Sequence, residues 1–128
     1  MPLIAGTSNA ETLTASTAMD TLLGGGGDDI LSATGLAFDP YGFMPLEMHG
    51  GSGHDTLEGS VNNDYLFGDS GNDLLIGNDG YDKFDLGDRT GPSGNDTAYG
   101  GAGSDHFVAG GGHDVIFGGA GNDVVAID

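Results

Sequence analysis

A nine-residue period runs through most of the chain and limits what it can become. Read in nines from Gly6, the first block is GTSNAETLT (6–14), ASTAMDTLL (15–23) and GGGGDDILS (24–32). The second is GGSGHDTLE (50–58), GSVNNDYLF (59–67), GDSGNDLLI (68–76) and GNDGYDKFD (77–85). The third is GPSGNDTAY (91–99), GGAGSDHFV (100–108), AGGGHDVIF (109–117) and GGAGNDVVA (118–126). A period this short with so much glycine specifies a solenoid of small stacked units, each too small to bury a core alone.

Three columns of the alignment carry chemistry. Column six is acidic throughout: Glu11, Asp20, Asp29, Asp55, Asp64, Asp73, Asp82, Asp96, Asp105, Asp114 and Asp123. Column eight is apolar: Leu13, Leu22, Leu31, Leu57, Leu66, Leu75, Phe84, Ala98, Phe107, Ile116 and Val125. Column four is Gly or Asn except at Ala18. Gly and Asn tolerate the positive φ of tight turns. Alternation along a strand turns column eight inward and columns seven and nine toward solvent. Each unit is therefore expected to be a six-residue turn followed by a three-residue strand. Two units make a coil, and coils stack at about 4.8 Å. Strands then alternate between two short parallel sheets, and turn i lies beside turn i+2.

Aspartate has a short carboxylate arm, and glycine-rich turns direct backbone carbonyls toward a common point. All-oxygen, hard-ligand coordination suits Ca2+ better than Mg2+, which demands a smaller octahedron. Within unbroken blocks the expected pairs are Glu11 with Asp29, Asp55 with Asp73, Asp64 with Asp82, Asp96 with Asp114, and Asp105 with Asp123. Asp29 with Asp55 and Asp73 with Asp96 would be extras across interruptions. The carbonyls expected nearby are those of Gly24, Gly26, Gly50, Ser52, Gly53, Gly68, Ser70, Gly100, Ala102, Gly103, Gly118 and Ala120. Asp69 and Asp79 also sit in turns.

The columns resemble GGxGxDxUx, the nonapeptide of the RTX (hemolysin-type calcium-binding) family. GGSGHDTLE, GGAGSDHFV and GGAGNDVVA match at every defined position. The resemblance covers roughly residues 6 to 126 and implies an all-β, right-handed parallel β-roll with several Ca2+ ions, at least five, in its turns. It also implies an exported or cell-surface protein, with type I secretion as the route, although no secretion signal is seen after the repeats.

The pattern is uneven. Units 6–32 are weak, with Glu11 for Asp and Ala18 for Gly, and suit a poorly metallated cap. Residues 33–49 divide into a loop, Ala33 to Pro40, and a degenerate unit, Tyr41 to His49; a cap or lid is the alternative. In the degenerate unit Met48 takes the inward column and Leu46 the aspartate column. Residues 86–90 lengthen one turn, and Arg89 is placed to pair with an acid there. One domain over 1–128 accommodates all of this.

Composition sharpens the metal reading. Twenty acids face only Lys83 and Arg89, a formal net charge of -18, which disfavours nucleic acid and anionic membranes. No cysteine is available for disulfides or thiolate metal sites. No apolar run could span a bilayer. One inward side chain per nine residues hardly offsets the entropy of ordering 27 glycines. The metal-free chain is therefore expected to be largely unfolded, with calcium binding coupled to folding.

Catalysis is not expected. HExxH, GxSxG, a phosphate-loop GK[ST] and an EF-hand loop are all missing. His54 and His113, in column five, read as turn filler rather than zinc ligands. Leu74, Ile76, Tyr99, Val115 and Phe117 should form an apolar stripe on one outer sheet face, a candidate surface for self-association or a partner. Besides a calcium-dependent structural module, the alternatives are a carbohydrate-binding repeat module, similar to those of secreted alginate epimerases, and a surface adhesin segment. An ice-binding row would need regular Thr in column three, which holds only Thr17.

Overall fold

A computed structural model describes residues 2–41, 45–87 and 94–127. Every regular element among them is a strand: β1 (Leu3–Ala5), β2 (Thr12–Thr14), β3 (Thr21–Gly26), β4 (Ile30–Ser32), β5 (Leu46–Ser52), β6 (Thr56–Glu58), β7 (Asp64–Ser70), β8 (Leu74–Asp79), β9 (Lys83–Asp85), β10 (Thr97–Ala102), β11 (His106–Ala109), β12 (Val115–Ala120) and β13 (Val124–Ile127). Odd strands form one sheet, ordered β1-β3-β5-β7-β9-β11-β13, and even strands the other, ordered β2-β4-β6-β8-β10-β12. Every pairing is parallel. This is the all-β parallel roll that alternating nonapeptides dictate, because each turn hands the chain to the opposite sheet.

The registers follow the repeat. Leu22 pairs with Met48, Met48 with Leu66, and Leu66 with Phe84. On the other sheet Leu31, Leu57, Leu75, Ala98 and Ile116 stand in one row. Column eight is sealed from Leu22 through Phe107 and opens at the two ends, where Leu13 and Ile116 are half-buried and Val125 is 50% exposed. Phe84 and Phe107 stack between the sheets with ring centroids 4.5 Å apart.

The described part of residues 33–49 contributes a strand. Leu46 is aligned with Asp64, and Met48 is fully buried. The extra length is looped out, so sheet order is preserved on both sides. Residues 1, 42–44, 88–93 and 128 lie outside the described residues. Arg89 and its expected ion pair fall there, with most of the 86–90 insertion and the start of unit 91–99.

Two details differ from the expectation. Six strands, β3, β5, β7, β8, β10 and β12, run on into a glycine of the following turn, and β5 and β7 reach seven residues, whereas β1 and β6 stop at three before Gly6 and Gly59. Glycine has no side chain to block the close approach of stacked turns, so pairing continues into the turn. The inner wall is also thicker. Column one holds apolar Ala15, Ala33 and Leu86, all buried, and column six buries its aspartates. The outer stripe is present, with Leu74 and Ile76 half-buried and Tyr99, Val115 and Phe117 exposed. Tyr99 and Phe117 stack at 4.8 Å.

Truncating the inner aromatic stack tests which side chains hold the coils. Phe107→Ala should lower the unfolding free energy in excess calcium by about 3–5 kcal/mol. Thr97→Ala, on the outer face, should change it by less than about 0.5 kcal/mol. Urea unfolding of the two variants provides the comparison.

Candidate metal centre

The acidic column forms two vertical ladders, one along each edge of the roll. On one edge the N–H of Glu11 donates to Asp29 Oδ1 at 2.8 Å, that of Asp29 to Asp55 at 2.7 Å, and that of Asp55 to Asp73 at 2.8 Å. The same ladder continues from Asp73 to Asp96 at 2.8 Å and from Asp96 to Asp114 at 3.0 Å. On the other edge Asp64 donates to Asp82, Asp82 to Asp105, and Asp105 to Asp123, at 2.8, 2.9 and 3.0 Å. All five pairs expected within blocks are therefore adjacent, and so are the two across interruptions. Asp82 with Asp105 adds a third.

These bonds use only Oδ1. The Oδ2 atoms of Asp29, Asp55, Asp73, Asp82, Asp96 and Asp105 are buried without a hydrogen-bond partner. An ionised oxygen in that position is costly unless something positive completes it. The space it faces is also formed. A β-carbon built on Gly50 would stand 2.6 Å from Asp55 Oδ2 and 2.7 Å from the Gly68 carbonyl oxygen of the next turn. Asp29 Oδ2 meets the Gly50 carbonyl in the same way, Asp82 Oδ2 that of Gly100, and Asp105 Oδ2 that of Gly118. In these turns column one is glycine, and a side chain there would fill this cradle.

The donor set is one carboxylate oxygen per turn plus carbonyls, and no group of three acidic or imidazole side chains converges among the described residues. Oxygen-only ligation with backbone carbonyls fits a hard cation of calcium's size. Not every expected carbonyl is equally open. Those of Ser70, Ala102 and Ala120 accept the N–H of Gly53, Gly80 and Gly103 at 3.0, 2.9 and 2.8 Å. The Gly77 carbonyl stands beside Asp64 Oδ2 in the same arrangement.

Burial drives the carboxylates upward in pKa. It raises Asp82 to about 8, Asp73 to about 7, and Asp64 and Asp96 to about 6, from an ordinary 3.8. Asp55 and Asp105 are raised for the same reason. Neighbouring carboxylates add to the rise at Asp82, where Asp64 and Asp105 flank the group. Asp20 is the exception: burial pushes it up, but hydrogen bonds from Thr17 and Ser16 outweigh that and lower it.

A second ladder runs beside the first, in column five. The N–H of His54 donates to Asp28 Oδ1, that of Asn72 to His54 Nδ1, that of Asn95 to Asn72 Oδ1, and that of His113 to Asn95 Oδ1, all at 2.7–2.9 Å. His54 accepts on Nδ1. The mixture of Asp, His and Asn in this column hides the common need for a short acceptor.

Because the raised groups hold protons in the fold and release them on unfolding, the metal-free roll retains their contribution below about pH 4 and loses it as pH rises through about 6–8. Circular dichroism in chelator should therefore show β signal increasing as pH falls from about 8 to about 5. A signal that does not rise over that interval would contradict the burial of these acids.

No curated protein and no solved structure matches the chain. The RTX calcium-binding nonapeptide repeat matches it in four copies, over residues 5–35, 49–84 and 90–125. These segments span more than half of the chain and contain every one of the partnerless carboxylates, so the chain belongs to the RTX family of calcium-binding repeats.

Proposed function

We propose that this β-roll is a structural module that folds when Ca2+ enters between stacked turns. Six ions are assigned, one beside each buried, partnerless Oδ2: those of Asp29, Asp55, Asp73, Asp82, Asp96 and Asp105. The orphan carboxylate oxygen, which at Asp29, Asp55, Asp82 and Asp105 meets a glycine carbonyl of the next turn, is the observation that carries the reading. The ion supplies the positive charge that the fold lacks; the chain supplies the oxygens and their spacing.

RTX repeats are typical of exported bacterial proteins. Sites in the sensor-to-extracellular range, about 10^-5 to 10^-3 M, would stay empty at cytosolic calcium and fill outside the cell. The chain would then stay unfolded before export and fold after it. Circular dichroism with calcium or EGTA tests this: the β signal should appear with calcium and vanish with EGTA, and a full β signal in EGTA would overturn it. Asp82→Asn should weaken the calcium midpoint about tenfold or more, whereas Glu58→Gln, on an outer face, should leave it unchanged.

The carbohydrate-binding reading is supported by one observation on the outer face of the odd-numbered sheet. Tyr65, Phe67, Lys83, Asp85, His106 and Val108 line a groove of about 290 Å³. Lys83 lies 4.9 Å from the Tyr65 ring centroid, and His49 stacks on Phe67 at 4.4 Å. Aromatic faces beside a cation suit an acidic sugar. Retention on an alginate column in calcium, abolished by Tyr65→Ala with Phe67→Ala, is the expected result; free passage of the wild type would exclude it.

A further inference from the structure

Nine of the acidic turns show two backbone arrangements, separated by the residues in columns two and four; turn 109–114 has positive φ only at Gly112, and turn 91–96 lies partly outside the described residues. In turn 50–55 both Gly51 and Gly53 have positive φ, 98° and 136°. Turns 24–29, 68–73, 77–82, 100–105 and 118–123 share this, with Asp69 and Asn78 as the non-glycine residues, at 64° and 77°. Each of these turns that has a following turn carries a partnerless Oδ2.

Turns 6–11, 15–20 and 59–64 have no residue at positive φ. Column two there is Thr7, Ser16 or Ser60, and column four is Asn9, Ala18 or Asn62. Ser and Thr seldom take positive φ. Their N–H groups point back at the acid instead, and their hydroxyls join them. Ser60 donates to Asp64 Oδ2 through its N–H at 2.6 Å and its hydroxyl at 3.0 Å. Ser16 does the same to Asp20 Oδ2 at 2.7 and 3.0 Å, and the Thr17 hydroxyl donates to Oδ1 at 2.6 Å. Thr7 donates to Glu11 through its N–H at 2.7 Å and its hydroxyl at 2.5 Å. These carboxylates already have donors where the open turns have none.

We propose that these three turns hold no calcium and that Ser or Thr in column two, with a column-four residue held at negative φ, is what closes them. This rests on the calcium reading above and refines which turns are filled. Position matters as well as chemistry. Turns 6–11 and 15–20 are the first on their edges, and 59–64 follows the degenerate unit whose acidic column holds Leu46. None of the three has an acidic turn beneath it to donate an N–H to its carboxylate, and the hydroxyl takes that place. The first described acidic turn on each edge, and the turn after the irregular coil, thus close without metal.

Turn 59–64 allows a direct test, because the rest of its cradle is in place. A β-carbon on Gly59 would stand 2.7 Å from Asp64 Oδ2 and 2.8 Å from the Gly77 carbonyl oxygen, nearly as at Gly50. Ser60→Gly with Asn62→Gly should open this turn, and the variant should hold one more calcium per chain than the wild type. Asn78→Ser with Gly80→Asn should close turn 77–82 and hold one fewer. Calcium per chain is counted by atomic emission after gel filtration, with circular dichroism confirming that each variant is folded. A folded opening variant with the wild-type count would overturn the proposal, as would a folded closing variant that loses none. A wild type that retains no calcium would instead overturn the calcium reading itself, and this assignment with it.

Discussion

The structure depends on stacking carboxylates at the spacing of β-strands. Two negative charges about 5 Å apart at an effective dielectric of about 20 repel by roughly 3 kcal/mol, and each ladder repeats that contact from turn to turn. One oxygen of each open-turn aspartate is neutralised in part by the N–H of the turn below. The other has no such partner. On the proposed reading, calcium between the turns would convert the repulsion into ligation and so let a chain with a formal charge of -18 adopt a parallel roll.

The remaining features follow from that requirement. Glycine in column one keeps the cradle free of side chains, and in turns 24–29, 50–55, 68–73, 77–82 and 100–105 left-handed residues in columns two and four withdraw the turn's own N–H groups from the carboxylate. The core is a single inward row on each sheet, sealed in the middle and open at both ends. Such a row contributes little on its own toward ordering so many glycines, which is why the proposed folding couples metal and core. The column-five ladder and the Phe84–Phe107 stack align successive coils but add no charge compensation.

Much of this could be read from the sequence because the period is rigid. Column eight predicted the core row, and column six predicted which acids become neighbours eighteen residues apart. Met48 was identifiable as an inward residue since only it restores the alternation across the irregular coil. Strand length was not legible, because glycine permits pairing to continue into a turn without announcing it. Ala15, Ala33 and Leu86 stood in what looked like turn positions, and their burial depends on the opposite sheet. The division of the acids was hidden for another reason. Glu11, Asp20 and Asp64 share a column with the open-turn aspartates, and only the φ angles of their neighbours and the direction of the Ser and Thr hydroxyls set them apart.

Locating the ions directly tests the account most sharply. An anomalous difference map from crystals grown in calcium should show a peak between turns beside the Oδ2 atoms of Asp29, Asp55, Asp73, Asp82, Asp96 and Asp105. Glu11, Asp20 and Asp64 should have none, since their oxygens already accept hydrogen bonds from Thr7, Ser16 with Thr17, and Ser60. A folded roll whose six buried carboxylates lack such peaks would contradict the claim that calcium holds the turns together.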